Sequence, residues 1–343
     1  MRFADIQGNA EAVAALRAMV DNSRVPHAMM FYENPSSGGL VLANAFLQYL
    51  MCEHPHDGDS CGQCPSCIQI SKLIHPDVHY VFPVNKGKVI KSDKPLSSEG
   101  IVAFRELYAS NPYFTELDLY DALGIESKTG NITVADAKEI LSTLALTPLS
   151  GEYKALVMFL PEKMNSQTAN KMLKLIEEPP AKTVIILITQ DPGSVLPTVT
   201  SRCQGLRVLP FDRSLSVCGG AAADVEDLWA RLLEALLSRS LKDALSCVEG
   251  FEALRSRDKQ VSFCTFASEQ LRKIFLTSRR LEDLAYCRSE AEKVRVSEAA
   301  KILPANFYSR SVAALNEAAM LTGRNVASKM VFTQLVNNLY ALL

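Results

Sequence analysis

No apolar run in this chain reaches the ~18 residues needed to cross a bilayer, and no internal repeat or low-complexity tract is present. A membrane-spanning helix is therefore not expected. The opening stretch, MRFADIQGNAEAVAALRAMV, lacks the charged start and apolar core of a secretory leader, so the expected compartment is the cytoplasm. Neither sign of charge predominates: 36 Lys and Arg stand against 38 Asp and Glu, a net charge of −2. That balance speaks against a strongly basic nucleic-acid surface, and any contact with DNA is expected to be shared or indirect. Of nine cysteines, Cys203, Cys218, Cys247, Cys264 and Cys287 have no motif spacing. An odd total without a leader fits a reducing compartment, where thiols stay free or bind metal. With 343 residues, 48% of them hydrophobic and 22% charged, the chain has the make-up of a globular protein of two or three domains.

What is present is most concentrated at Cys52-x8-Cys61-x2-Cys64-x2-Cys67, directly behind the helix-like run AFLQYLMC. Four thiolates at this spacing can wrap one tetrahedral zinc, with Gly58, Gly62 and Pro65 supplying the turns that fold sulfur back onto metal. A catalytic zinc more often keeps an open position and uses His or carboxylate ligands, so a closed four-thiolate site is expected to be structural, with one zinc per chain. The alternatives are a Cys3His site using His54 or His56, and redox thiols.

The first two hundred residues alternate strand-like and helix-like segments. HAMMFYE (27–33) reads as a buried strand, followed by the turn NPSSGG and the helix LVLANAFLQYL. YKALVMFL (153–160) is a second strand; after it PEKMNSQTANKMLKLIEE carries Met164, Ala169, Met172, Leu173 and Ile176 at helical spacing until Pro179-Pro180 stops it. TVIILIT (183–189) is a third strand, and VTSRCQGLRVLPF (199–211) leads to a fourth. Strands separated by helices imply an α/β doubly wound parallel sheet covered on both faces. The stretch 82–131 is expected to begin as an exposed loop and to continue as a short surface helix around NPYFTELDLYDALGI. From about Val225 the chain turns wholly amphipathic at helical period, as in DLWARLLEALLSRSL and ASKMVFTQLVNNLYALL. The expected division is therefore an α/β domain over 1–211 carrying the cysteine module (52–67) and the 82–131 segment, a linker over 212–225, and a helical domain over 226–343.

The first strand–turn–helix has the context of a phosphate-binding loop, which needs a Lys for the β/γ oxygens and a Ser or Thr for magnesium. It reads Glu33-Asn34-Pro35-Ser36-Ser37-Gly38-Gly39-Leu40. Gly39 occupies the Lys position and Leu40 the Ser/Thr position, so both ligands are missing. The second strand should end in paired carboxylates; it ends Leu160-Pro161-Glu162-Lys163, with one. Two independent losses make hydrolysis by this chain unexpected, and no ATP binding is expected.

The order PHAMMFYE, degenerate loop, four-Cys module, HPD (75–77), PEKMNSQTANKMLKLIEEPP (161–180), TVIILIT and TSRC (200–203) resembles the delta-prime family of the bacterial DNA polymerase III clamp loader, within the AAA+ superfamily. The resemblance covers residues 1–211 by specific motifs and the C-terminal helices by general character. It implies an AAA+, P-loop NTPase-like domain followed by an all-α collar that oligomerises. It further implies a non-hydrolysing member of a hetero-pentamer with ATPase subunits and a delta-type subunit, meeting the sliding clamp and primed DNA through that assembly, with no membrane partner. Arg202, within Ser201-Arg202-Cys203, matches the arginine finger that reaches a neighbour's ATP site. A guanidinium supplied in trans can neutralise charge developing on the γ-phosphate. The bland alternative is a surface or intrachain ion pair. The family's helical lid of about forty residues is lost or shortened here to DRSLSVCGGAAADV (212–225), a further argument against bound nucleotide.

Rival functions are an AAA+ ATPase working through an atypical loop and a stand-alone zinc-containing interaction module in DNA repair. Other conspicuous residues have plainer roles. His27 is expected to stabilise a turn, and Glu177-Glu178 to be surface charge or subunit contact, since adjacent helix residues point about 100° apart. Met158, Met164 and Met172 are expected in the core, and Trp229 as a buried anchor.

Overall fold

The computed structural model describes the chain apart from residues 7, 36, 126–128, 210–219, 255–256, 286, 288, 305 and 325, and apart from the side chains of 220–223, 258 and 283. It divides into two compact units, Met1–Phe211 and Asp212–Leu343. In the first, β1 (Ala28–Glu33), β2 (Val78–Val81), β3 (Lys154–Phe159), β4 (Thr183–Thr189) and β5 (Gln204–Val208) form one parallel sheet in the order β2-β3-β4-β1-β5. Met30 of β1 stands opposite Leu187 on one side and Gly205 on the other. The central strands are apolar except at their ends, where Glu33, Lys154, Thr183 and Thr189 stand, because both faces of the sheet are covered. Met29, Phe31, Val157, Ile186 and Ile188 enter one core, whereas Ala28, Met30, Leu156, Met158, Ile185 and Leu187 enter the other, the period of two that a pleat imposes.

Helices α1 (Ala10–Asp21), α2 (Gly39–Leu50), α3 (Pro65–Ser71), α4 (Ile101–Ser110) and α5 (Glu116–Leu123) contribute buried side chains to the first of these cores or border it, and α6 (Val134–Leu144) and α7 (Ser166–Glu177) contribute to the second. Both α5 and α6 start with reciprocal capping boxes, Thr115 with Asp118 and Thr133 with Asp136, which satisfy amide groups that helix starts otherwise leave orphaned. A single turn, α8 (Pro197–Thr200), precedes β5.

Two expectations need correction. The sheet has a fifth strand, β2, which sequence patterning does not reveal: VHYV is four residues long, too short to display a period, and is a strand because it pairs with β3. The 82–131 segment holds the expected loop, largely exposed over 86–94, and the expected short helix, α5, but it also contains α4 and packs into the first core. Phe82, Val84, Ile90, Phe104, Tyr108 and Phe114 are buried. Phe82 stacks on Phe104 at 4.2 Å, Phe104 meets Phe114 at 5.5 Å, and Phe114 meets Phe159 of β3 at 5.4 Å. This aromatic chain joins the segment to the sheet, and its members are too widely spaced in sequence to register as one amphipathic face.

The second unit is helical: α9 (Gly220–Leu237), α10 (Leu241–Ala253), α11 (Arg257–Ser278), α12 (Glu290–Ile302), α13 (Phe307–Gly323) and α14 (Ser328–Tyr340). Trp229, Phe251, Phe263, Phe307 and Phe332 are buried at its centre, with Phe251 stacked on Phe332 at 3.8 Å. Of the linker expected over 212–225, residues 212–219 lie outside the described residues, and the rest is the start of α9. Ala221, Ala222 and Ala223 carry the helix through a stretch that its glycines suggested was a break.

One buried charge pair ties α11 to α12: Lys273 Nζ lies 2.6 Å from Glu292 Oε1, which also accepts from Gln270 Nε2 at 2.6 Å. Glu292→Ala strands the ammonium in the interior. Urea denaturation is expected to show about 3–5 kcal/mol of lost stability in the helical unit; a loss under about 1 kcal/mol would mean that Lys273 reaches water.

Candidate functional site

The four cysteines singled out by spacing converge. Cys52 follows the end of α2, Cys61 lies in the connecting turn, Cys64 is the N-cap of α3 and Cys67 lies in its first turn. Their sulfurs all lie within 4.8 Å of one another, with Cys61 Sγ 3.9 Å from Cys67 Sγ. A tetrahedron with Zn–S bonds of about 2.3 Å has sulfur–sulfur edges of about 3.8 Å, so the cluster has the right size for that ion. Gly58 (φ 71°) and Gly62 (φ 72°) hold left-handed backbone that a side chain would strain, and Pro65 opens α3. Backbone amides point at the sulfurs as they do around bound thiolates: Cys61 N to Cys52 Sγ at 3.2 Å, Cys64 N to Cys61 Sγ at 3.3 Å and Cys67 N to Cys64 Sγ at 3.5 Å. The amides of Gln63 and Cys64 lower the Cys61 pKa to about 6, while burial pushes that of Cys67 up. His54 and His56 are exposed and outside the cluster, which disfavours a Cys3His site.

The module also grips the start of the chain. Buried Asp59 accepts from Phe3 N at 3.2 Å and Ala4 N at 2.9 Å, and Phe3 packs edge-on against Tyr49 of α2 at 5.8 Å. This grip has no sequence signature, because an Asp among turn residues looks like any other.

The degenerate loop connects β1 to α2. Ser36 lies outside the described residues; Ser37 is buried, Gly38 is the N-cap of α2 with φ 91°, and Gly39 and Leu40 begin the helix. Glu33, at the end of β1, is only 7% exposed, and its Oε2 accepts from Gly39 N at 2.6 Å. Pro112, Tyr113, Phe114 and Phe159 line, with the loop, a shallow crevice of about 10 Å³, room for no more than one water. At the end of β3, Leu160 takes left-handed backbone (φ 59°). The surviving carboxylate, Glu162, accepts from Thr189 Oγ1 at 2.8 Å and Gln190 N at 3.0 Å; burial raises its pKa despite those bonds. Lys163 pairs instead with Glu116 of α5 at 2.5 Å. Glu33 is thus met by the start of α2, Glu162 by the end of β4 and Lys163 by α5.

Arg202 lies in the turn between α8 and β5, 40% exposed, beside Ser201 and half-buried Cys203. Its Nε is 2.5 Å from Oε1 of Glu177, the last residue of α7, and its Nη1 donates to the Thr198 carbonyl at 2.9 Å. Sequence reasoning gave Glu177 a surface role without identifying this partner. In the HPD run, Asp77 is buried and accepts from Leu149 N at 2.7 Å and Ser150 N at 2.8 Å, which fastens the turn ahead of β3. Burial raises its pKa, but these amides, the Ser150 hydroxyl and His75 together leave it lowered.

Comparison with known proteins agrees with this geometry. The family model described as "DNA polymerase III, delta subunit" matches residues 8–212, more than half of the chain. DNA polymerase III subunit delta' of Pseudomonas aeruginosa is 27% identical over 225 residues, covering 65% of this chain and 53% of that protein. The Yersinia pestis subunit of the same name is 30% identical over 52% of this chain and 40% of its own length, and that of Bacillus subtilis 26% identical over 71% and 60%. The chain thus spans about half the length of the curated relatives it matches. A solved DNA polymerase III gamma subunit-related protein from Thermotoga maritima overlays 96% of this chain and 99% of its own at 16% identity and a TM-score of 0.40, too loosely to add weight. With its five parallel strands, its converging cysteines and a family match over residues 8–212, the chain belongs to the DNA polymerase III, delta subunit family.

Proposed function

We propose that this chain is a non-hydrolysing clamp-loader subunit of the delta-prime type. It assembles with ATPase subunits and a delta-type subunit into a hetero-pentamer, acts in the cytoplasm, and helps that assembly load the sliding clamp on primed DNA. Its zinc is structural, held by Cys52, Cys61, Cys64 and Cys67, and its chemical contribution is Arg202, offered in trans to a neighbour's ATP. The family match over residues 8–212 supports the assembly. The observation that carries the non-hydrolysing role is the Glu33 carboxylate on Gly39 N, in a cavity of about 10 Å³. A triphosphate brought there would meet a buried negative charge where it needs cations, with neither Lys nor magnesium ligand to offset it.

Isothermal titration of the purified chain with ATP and magnesium is expected to give no binding in the micromolar range; binding there would favour the rival ATPase. Gly39→Lys does not repair the loop. Its Cβ would lie 2.7 Å from Glu33 Oε2 and 2.9 Å from Ile188 Cγ2, so the substitution is expected to lower the melting temperature and to create no turnover. Co-purification with clamp-loader ATPase subunits tests the assembly, and its failure with folded chain would favour the stand-alone interaction module.

A further inference from the structure

We propose that Glu33 is a built-in anion occupying the seat of a nucleotide phosphate, so that the loop and α2 hold their shape without any ligand. This deepens the non-hydrolysing role and rests on it. In the pattern G-x-x-x-x-G-K-[ST], backbone amides and the start of the following helix cradle phosphate. Glu33 stands at the first Gly of that pattern and Gly39 at the Lys, a carboxylate gained where an ammonium is lost.

The two changes are one device, sterically and electrically. The start of a helix presents unpaired amides and roughly half a positive charge. The Gly38 N-cap offers α2 no side-chain acceptor. Glu33 supplies one from the end of β1, its Oε2 taking the Gly39 amide at 2.6 Å. Any side chain at 39 would begin 2.7 Å from that oxygen, so the carboxylate holds this place only while position 39 is bare. The seat is buried. Glu33 is 7% exposed, and the Ser37 hydroxyl in the same loop is buried with no hydrogen-bond partner among the described residues. Pro112, Tyr113, Phe114 and Phe159 line what space remains, about 10 Å³. An open phosphate loop keeps its positive helix end until a nucleotide arrives, whereas here the charge is met within the chain. The α/β unit is therefore expected to keep one shape through cycles in which its neighbours bind and release nucleotide.

The test uses the full-length chain and inorganic phosphate. Melting temperatures of wild type, Glu33→Ala and Glu33→Gln are measured in sodium chloride and in about 20 mM sodium phosphate, at equal pH and ionic strength. Wild type is expected to be indifferent to phosphate. Glu33→Ala should melt roughly 2–8 °C lower, from the loss of a helix cap, and phosphate should restore at least half of that loss by entering the vacated seat. Glu33→Gln keeps the shape and an acceptor oxygen but not the charge; it should melt below wild type and gain little from phosphate. A Glu33→Ala chain that responds to phosphate no more than wild type overturns the proposal, as does a Glu33→Gln chain that melts with wild type. The glutamine variant decides the matter if the alanine variant does not fold. Micromolar ATP binding by wild type would instead overturn the non-hydrolysing role, whatever the variants do.

Discussion

Arg202→Ala is expected to leave the chain folded and able to assemble, yet to lower DNA- and clamp-stimulated ATP turnover in the reconstituted complex. Arginine fingers contribute about 10³–10⁵ in rate at a single site; the loss in the whole complex should be smaller, because other ATP sites have their own neighbours. In the isolated chain the guanidinium rests against Glu177 at 2.5 Å and the Thr198 carbonyl at 2.9 Å. Those contacts do not count against the finger role. Both partners of the ion pair are more than a third exposed, and screened pairs of that kind contribute about 0–1 kcal/mol, little beside a γ-phosphate in a site closed to water. The same weakness explains why the fold should tolerate the loss. Lysine should substitute poorly, offering one compact charge where a planar fork is wanted. Clamp loading should fall with turnover. Normal turnover and loading by a correctly assembled Arg202→Ala complex would leave Arg202 as the intrachain partner of Glu177 and nothing more.

Removal of the metal should have the other large effect, on structure rather than rate. Metal analysis of chain prepared without chelator is expected to give about one zinc per chain, and the fourfold Cys52/Cys61/Cys64/Cys67→Ser variant close to none. Structural zinc contributes roughly 10–16 kcal/mol of apparent binding free energy in small zinc-folded peptides. Here much of that would act locally, since the central strands are buried without help from the module. The first regions to loosen should be α3, the turn around Gly58 and Gly62, and residues 3 and 4, whose amides depend on Asp59. Hydrogen exchange before and after chelation would locate the change. Zinc undiminished in the fourfold variant would overturn the ligand set, and protection lost evenly across the sheet would mean that the module supports the whole unit. Assembly should suffer before any chemical step does, because none of the four thiols lies in the phosphate loop or beside Arg202.

The relation between sequence and structure differs from one element to another. TVIILIT is β4 residue for residue, because an unbroken run of β-branched and apolar residues carries its strand preference within itself. The helix of α7 is legible for a similar reason: Ala169, Met172 and Ile176 repeat at helical spacing, Asn165 caps the start, and two prolines follow the end. The strand VHYV is different. Its four residues become a strand only when β3 is alongside.

By itself, then, the sequence determined whatever is encoded within a few neighbouring residues: the apolar strands, the capped helices, four thiols at metal-binding spacing, and a loop without its Lys or its Ser/Thr. Only the tertiary structure decided which side chains meet across those segments. It brought Phe82 and Phe114 into a single aromatic chain ending on β3, set Glu177 beside Arg202, tied Asp59 to the amides of Phe3 and Ala4, and turned Glu33 onto the Gly39 amide. The physical reason is the range of the interactions. Hydrophobic period and turn chemistry act over a few bonds and leave a pattern in composition, whereas a carboxylate finds its partner only after the backbone has placed both, and the residue letter is the same whether it faces water or a helix end.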